Sequence, residues 1–444
     1  MKINKKKNNT FTFVDLFSGI GGFRIALEKH GGVCKGFSEI DTHAITTYKK
    51  NFLVNSAHHE IELGNIEKIN RLTFEVDFIV GGVPCQSWSI AGKMKGFDDP
   101  RGKLWNDTLR LVRNSKPKAF IFENVKGLAD PRNKKSLDFL VNEFEKLGYI
   151  VKKSVLNSYD FGVPQNRERI YIVGTKKGLL LPNQQFEFPK PTSAGHKLHD
   201  LLDNLEQDNK ITPKRKLPIS AIHINGKIPY SRNRFQKLDE LNDFFIFSDT
   251  RNGHSTIHSW DIIKTSDREK KICLTLLKNR RKKIYGNSDG NSLSLNVLTE
   301  LIPNLKKSEL DNLVSKNILR ITKDKKYEFI NSKNSSGISG VYRIYLPCSN
   351  IFSTLTATGT KDFVALKNVT GNNADDFKKN FIHEIFNKKM YRSITSIEAA
   401  KLQGFPKNFK VHPTDRVAQK QFGNAVSVPV IEALIKAIKQ TKIF

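Results

Sequence analysis

The stretch Phe11-Thr12-Phe13-Val14-Asp15-Leu16-Phe17-Ser18-Gly19-Ile20-Gly21-Gly22 decides the fold. Phe11 to Phe17 carry β-branched and aromatic side chains and read as a strand. Ser18 to Gly22 form a glycine turn, and Phe23-Arg24-Ile25-Ala26-Leu27-Glu28-Lys29 begins a helix. Strand, glycine loop and helix in that order open a nucleotide-type βαβ unit, in which glycines let the backbone approach a ligand closely. The loop is not a strict G-x-G-x-x-G, so a dinucleotide is not favoured. A second apolar piece, Val33 to Ser38, ends in Glu39, 20 positions after Gly19. An acidic residue at that distance is where such folds bind ribose hydroxyls.

Further along, Phe78-Ile79-Val80 reads as a buried strand that Gly81 and Gly82 break, with Pro84 fixing the backbone directly before Cys85. A free cysteine often simply packs in a core, but this placement holds a thiol at a strand tip. Ala91 to Gly96 is small, glycine-containing and basic, and reads as a lid. Ala119 to Phe122 is another buried strand, and Glu123 follows it directly, where a carboxylate can meet the cysteine at the strands' carboxyl ends. Arg167 and Arg169 alternate ahead of the strand Ile170 to Gly174 and project to one side of an extended segment.

The chain has 444 residues, enough for two cores. Its 74 Lys and Arg outnumber 44 Asp and Glu, a formal net charge of +30 that points to a polyanionic partner, nucleic acid first. Four scattered cysteines without ligand spacing argue against a zinc site or a disulfide framework, and no metal is expected. They fit a reducing cytoplasm, and no apolar run is long enough to predict a membrane span.

From about residue 175 the chain turns polar and Lys/Asn-rich. Within it, Ile272 to Leu277 looks helical and runs into the basic stretch Lys278 to Lys283. Lys307 to Val314 shows helical spacing with Ser308 as a plausible cap. Ile318 to Ile321 and Tyr327 to Ile330 then read as two strands joined by a Lys/Asp turn. Helices followed by a basic hairpin resemble a winged-helix arrangement over 261–332. The alternative is a purely structural insertion. Near the end, Ser396 to Leu402 is a helix stopped by Gly404-Phe405-Pro406, and an amphipathic helix runs from about Pro429.

In this order the motifs resemble those of bacterial DNA (cytosine-5) methyltransferases of the restriction-modification type. They are Asp15 to Gly22, Glu39, Gly82-Val83-Pro84-Cys85, Glu123-Asn124-Val125, Gln165 to Arg169, Leu402 to Pro406 and Gly423-Asn424-Ala425-Val426. The resemblance covers 11–174 and about 390–440. It implies an α/β, Rossmann-like catalytic domain over 1–174, completed by 390–444, with a smaller target-recognition domain over 175–389. It also implies S-adenosylmethionine as methyl donor, bound by Phe17, Gly19, Gly21, Gly22, Glu39, Ile40, Asn65, Ile66, Pro84, Asn424 and Val426. Asn65 stands where the family usually has aspartate, and its amide oxygen can still accept a hydrogen bond.

Cys85 is the implied nucleophile and Glu123 the group that hydrogen-bonds the base. Arg169 would hold the O2 side of the base, and Arg167 would support the loop. The implied substrate is a flipped-out cytosine in double-stranded DNA. A monomer is expected, with a partner restriction endonuclease at the same site. A tRNA cytosine methyltransferase is the nearest rival; the long basic middle region argues against it. A nucleotide-dependent oxidoreductase fits the glycine loop and Pro84-Cys85 poorly. A non-enzymatic DNA-binding protein has little reason to carry cysteine, glutamate and arginine at three strand ends.

Overall fold

A computed structural model describes residues 10–54, 60–84, 104–180, 184–192, 197–205, 244–247, 256–288, 290–330, 342–358 and 362–444. Cys85, Gln86, Ser87 and the basic lid stretch 91–96 lie outside the described residues. The chain divides into two compact units, residues 1–196 with 352–360 and 395–444, and residues 197–351 with 361–394. The first unit thus takes in 352–360, from inside the region that the sequence reads as the middle domain.

The first unit begins with β1 (Phe11–Leu16), α1 (Gly22–Lys29), β2 (Gly32–Ser38), α2 (Thr42–Phe52), β3 (Ile61–Glu62) and β4 (Phe78–Gly82). It continues through α3 (Leu104–Ser115), β5 (Ala119–Val125), α4 (Lys134–Lys146), β6 (Tyr149–Asn157) and β7 (Glu168–Lys176). The seven strands lie in the order β3-β2-β1-β4-β5-β7-β6. The first five are parallel, as βαβ crossovers require, and β7 inserts antiparallel between β5 and β6. Strand order reverses beside β1, which makes the carboxyl ends of β1, β2 and β4 a topological switch point.

Both faces of this sheet are covered, so its central strands are apolar throughout rather than alternating. Phe120 and Phe122 on β5 stack at 5.0 Å, with Phe144 of α4 4.5 Å from Phe120. One expectation is corrected here. Gly81 and Gly82 do not break the strand; both belong to β4, where Gly81 pairs with Leu16 on one side and Phe122 on the other. A Cβ at Gly81 would sit 2.8 Å from the Leu16 carbonyl oxygen, so the glycine allows close backbone approach inside the sheet.

The second unit holds β8 (Phe244–Phe247), β9 (Thr256–Ile257), α5 (Ser259–Ile262), α6 (Asp267–Asn279), α7 (Leu295–Leu301) and α8 (Lys307–Ser315). After these come β10 (Leu319–Ile321), β11 (Tyr327–Phe329), β12 (Tyr342–Tyr345), β13 (Phe363–Ala365), α9 (Ala374–Phe381) and β14 (Tyr391–Arg392). A five-stranded sheet has the order β14-β13-β12-β8-β9. Separately, α6, α7 and α8 share one buried cluster with the antiparallel β10–β11 hairpin. Ser308 does not cap α8. Lys306 precedes the helix, its backbone N–H donating to Glu309 at 2.9 Å, and Ser308 lies in the first turn.

The first unit closes with α10 (Ser396–Leu402), α11 (Asp415–Asn424) and α12 (Val428–Gln440). Pro429 sits in the first turn of α12, where its missing N–H costs nothing. The buried stripe Val430, Ile431, Leu434, Ile435 and Ile438 gives this helix an apolar face. Lys29 at the end of α1 meets Glu432 at 2.8 Å, and Phe444 stacks on Phe11 at 4.8 Å. These contacts seat the C-terminal segment on the first βαβ unit.

Candidate active site

A cavity of about 410 Å³ opens at the switch point, within the range of about 300–1,000 Å³ usual for small-molecule sites. Phe17, Gly19, Gly22, Glu39, Ile40, Asn65, Ile66, Pro84, Glu123, Arg167, Arg169, Asn424 and Val426 all line it. Gly21 does not; a Cβ there would meet the Phe52 ring at 2.3 Å, so it makes room for α2 instead.

The glycine loop is held by its neighbours. Phe17 leaves β1 with φ 52°, a left-handed conformation that costs energy in a non-glycine residue. The Ser18 N–H donates to the Ser38 carbonyl at 3.0 Å, tying the loop to the end of β2. Gly19 takes φ 54° with nothing within 4 Å of its would-be Cβ, so its open side forms part of the cradle. Its N–H donates to Glu39 Oε2 at 2.8 Å, while Glu39 Oε1 accepts from Ile40 and Asp41 N–H at 2.7 and 2.9 Å. The carboxylate therefore organises both loops and keeps lone pairs for a ligand. Asn65 Oδ1 accepts from Glu67 N–H at 3.0 Å, capping a short 3₁₀ turn that places the buried Ile66 in the wall.

Glu123 and Arg169 face each other from β5 and β7, with Arg169 Nε 3.0 Å from Glu123 Oε1. Glu123 is buried, and that burial pushes its carboxyl pKa up, against the pull of Arg169 and Arg167. Desolvation is thus the larger influence on this carboxyl, and the two arginines offset it only in part. Arg167 is 2% exposed. Its Nη1 donates to the Leu355 carbonyl at 2.9 Å, and its Nη2 to those of Gly423 and Ala425 at 3.2 and 2.8 Å. Burial and the neighbouring Arg169 lower its pKa to about 9, which still leaves it charged at neutral pH.

Two positioning side chains carried no reading of their own in the sequence. Asn124 Nδ2 donates to the Val83 carbonyl at 3.2 Å, anchoring the segment that leads into Pro84 and Cys85. Gln165 Nε2 donates to the Leu402 carbonyl at 2.9 Å across 237 positions of chain. Their membership of the motifs Glu123-Asn124-Val125 and Gln165 to Arg169 was the available signal. Ser38, His43 and Gln421 also line the cavity, and no periodicity marked them.

A mostly parallel sheet with a switch-point cavity, a glycine loop, an acidic residue after β2 and a buried carboxylate near the carboxyl end of β5 defines an α/β enzyme built around a nucleoside-type ligand. The chain belongs to the C-5 cytosine-specific DNA methylase family, whose model matches residues 11–440, and it is a DNA cytosine-5 methyltransferase. It is 48% identical over 434 residues to the Type II methyltransferase M.HgiBI of Herpetosiphon aurantiacus, covering 98% of each chain. With the Type II methyltransferase M.BanI of Aneurinibacillus aneurinilyticus it shares 34% identity, covering 97% of this chain and 96% of the relative. Its fold resembles that of a Spodoptera frugiperda DNMT2 mutant, with a TM-score of 0.53 at 15% identity over 97% of this chain and 100% of that one. No described helix is long and apolar enough to cross a membrane.

Proposed function

We propose that the protein methylates C5 of a flipped-out cytosine within a specific short duplex sequence, with S-adenosylmethionine as donor and Cys85 as nucleophile. The observation that carries this reading is the convergence of Gly19, Glu39, Pro84, Glu123 and Arg169 on one cavity, with Pro84 directly preceding Cys85. The residues present fit the donor. The open side of Gly19 and the Phe17 ring suit its methionine part, Glu39 its ribose hydroxyls, and Asn65, Ile40 and Ile66 its adenine. Asn424, Val426 and Gly22 close the same wall. When bound, the donor supplies an electrophilic sulfonium methyl group.

Cytosine C5 is a weak nucleophile until C6 is occupied. The Cys85 thiolate adds to C6, and the ring electrons then make C5 enamine-like. Glu123 donates its proton toward N3 and accepts from the exocyclic amine, which stabilises charge arriving on the ring. Arg169 holds Glu123 in place and reaches the O2 side of the base. Arg167 supports the floor beneath them. Once C5 carries the methyl group that the bound donor would give up, its proton passes to water and elimination of the Cys85 thiolate re-forms the C5–C6 double bond and the aromatic ring. The similarity to Type II methyltransferases supports a role beside a restriction endonuclease acting at the same site.

Incubation of a long mixed-sequence duplex with enzyme and S-adenosylmethionine, read by bisulfite sequencing, tests the reaction. Protected cytosines in one fixed context are expected, and Cys85→Ala should abolish them while DNA binding persists. Methylation by that variant would overturn the assigned nucleophile.

A further inference from the structure

Between residues 267 and 329 the second unit carries an arrangement that the reaction does not use. Leu293 exchanges two backbone hydrogen bonds with Tyr327, at 2.9 and 2.7 Å, and so acts as a one-residue strand beside β11. The order along the chain is helix α6, this strand, helices α7 and α8, strand β10, a turn and strand β11. The strands lie in the order Leu293, β11, β10. That is the connectivity of a winged helix-turn-helix, with α8 as the second helix of the turn and 322–326 as the wing.

The placement of α8 is over-determined. Leu310 and Leu313 are buried in the shared core. Glu309 pairs with Arg268 at 2.9 Å, and Lys316 with Glu269 at 2.7 Å, fixing the helix against the start of α6. The opposite face is left exposed and carries Ser308, Asp311 and Ser315. Short polar side chains on such a face are the types that read base edges in a major groove. The wing is basic, with Lys323 and Lys325 exposed and Lys326 half-buried. Ammonium groups on a turn beside a reading helix complement the phosphates flanking that groove.

We infer that residues 267–329 are a winged-helix module that binds the duplex, α8 reading bases in the major groove and the wing lysines contacting phosphate. The inference rests on the reading of the chain as an enzyme of duplex DNA and names the element that would select the target.

The test uses the full-length protein and a fluorescent mixed-sequence duplex titrated between 50 and 200 mM salt. Replacing Lys323, Lys325 and Lys326 together by alanine should weaken binding and reduce the log–log salt slope by about two to three, roughly 0.9 per lost phosphate contact. A double variant, Lys323→Gln with Lys325→Gln on the exposed turn, repeats the measurement should the triple one fold poorly. Ser308→Ala with Asp311→Ala should leave the salt slope in place and change which cytosine contexts bisulfite sequencing finds protected. Unaltered affinity and slope in the wing variants, or unaltered contexts in the helix variant, would overturn the respective half. Absence of duplex binding by the unsubstituted protein would overturn both. A protein that binds with the expected slope yet methylates nothing would refute the reaction and leave the wing standing.

Discussion

Glu123 combines two demands on one carboxyl group. It is buried beside Arg169, yet burial outweighs the arginines and raises its pKa. The folded protein therefore holds this proton above the ordinary carboxylate value of about 4.3. The stability linked to it is fully present below that value and lost as pH rises through the folded one. Glu123→Gln keeps a donor and an acceptor of similar shape but has no proton to transfer. It should lower kcat by about 10²–10⁴-fold and remove the limb of the pH–rate profile that Glu123 sets. A kcat within a factor of two of the parent's would dismiss Glu123 as the acid. At this scale the sequence was informative where a polar residue interrupts an apolar run, as at Glu39 and Glu123. It marked Asn124 and Gln165 only as members of their motifs and gave no hint of their roles, because their partners are main-chain carbonyls 41 and 237 positions away.

Among the elements, β4 carries the sharpest constraint. Gly81 lies between β1 and β5, with the Leu16 carbonyl where a Cβ would go. Gly81→Ala must push β1 and β4 apart and should cost about 1–3 kcal/mol, read as a lower denaturant midpoint at unchanged m. An unshifted midpoint would mean the sheet yields without cost. The apolar runs gave the parallel strands plainly, because strands buried on both faces must be apolar throughout. A glycine pair inside such a run can mean a turn or a close approach, and only the neighbouring strand distinguishes the two. The same limit hid the one-residue strand at Leu293, which leaves no period to detect, and the antiparallel insertion of β7, which depends on partners rather than on its own residues. The β10–β11 hairpin was legible because its charged turn separates two short apolar pieces.

At the scale of the whole molecule, the first unit is assembled from three separate pieces of chain. Arg167 joins all three, reaching from 1–196 to Leu355 in the second and to Gly423 and Ala425 in the third. Arg167→Met would strand two buried carbonyls and a half-buried one and should destabilise the unit by about 3 kcal/mol or more, measured by chemical denaturation against the parent protein. A loss below about 1 kcal/mol would show that water or neighbouring groups replace the guanidinium. The basic balance legible in the composition anticipated the nucleic-acid partner but not this discontinuity, which no composition records. It has a consequence for the living cell. During translation at about 5–20 residues per second, the ribosome must finish all of 197–351 and 361–394 before it delivers the segment on which α1 and Arg167 depend. The nascent enzyme therefore stays catalytically mute until 395–444 has emerged, and a chain cut short before that segment cannot mark DNA.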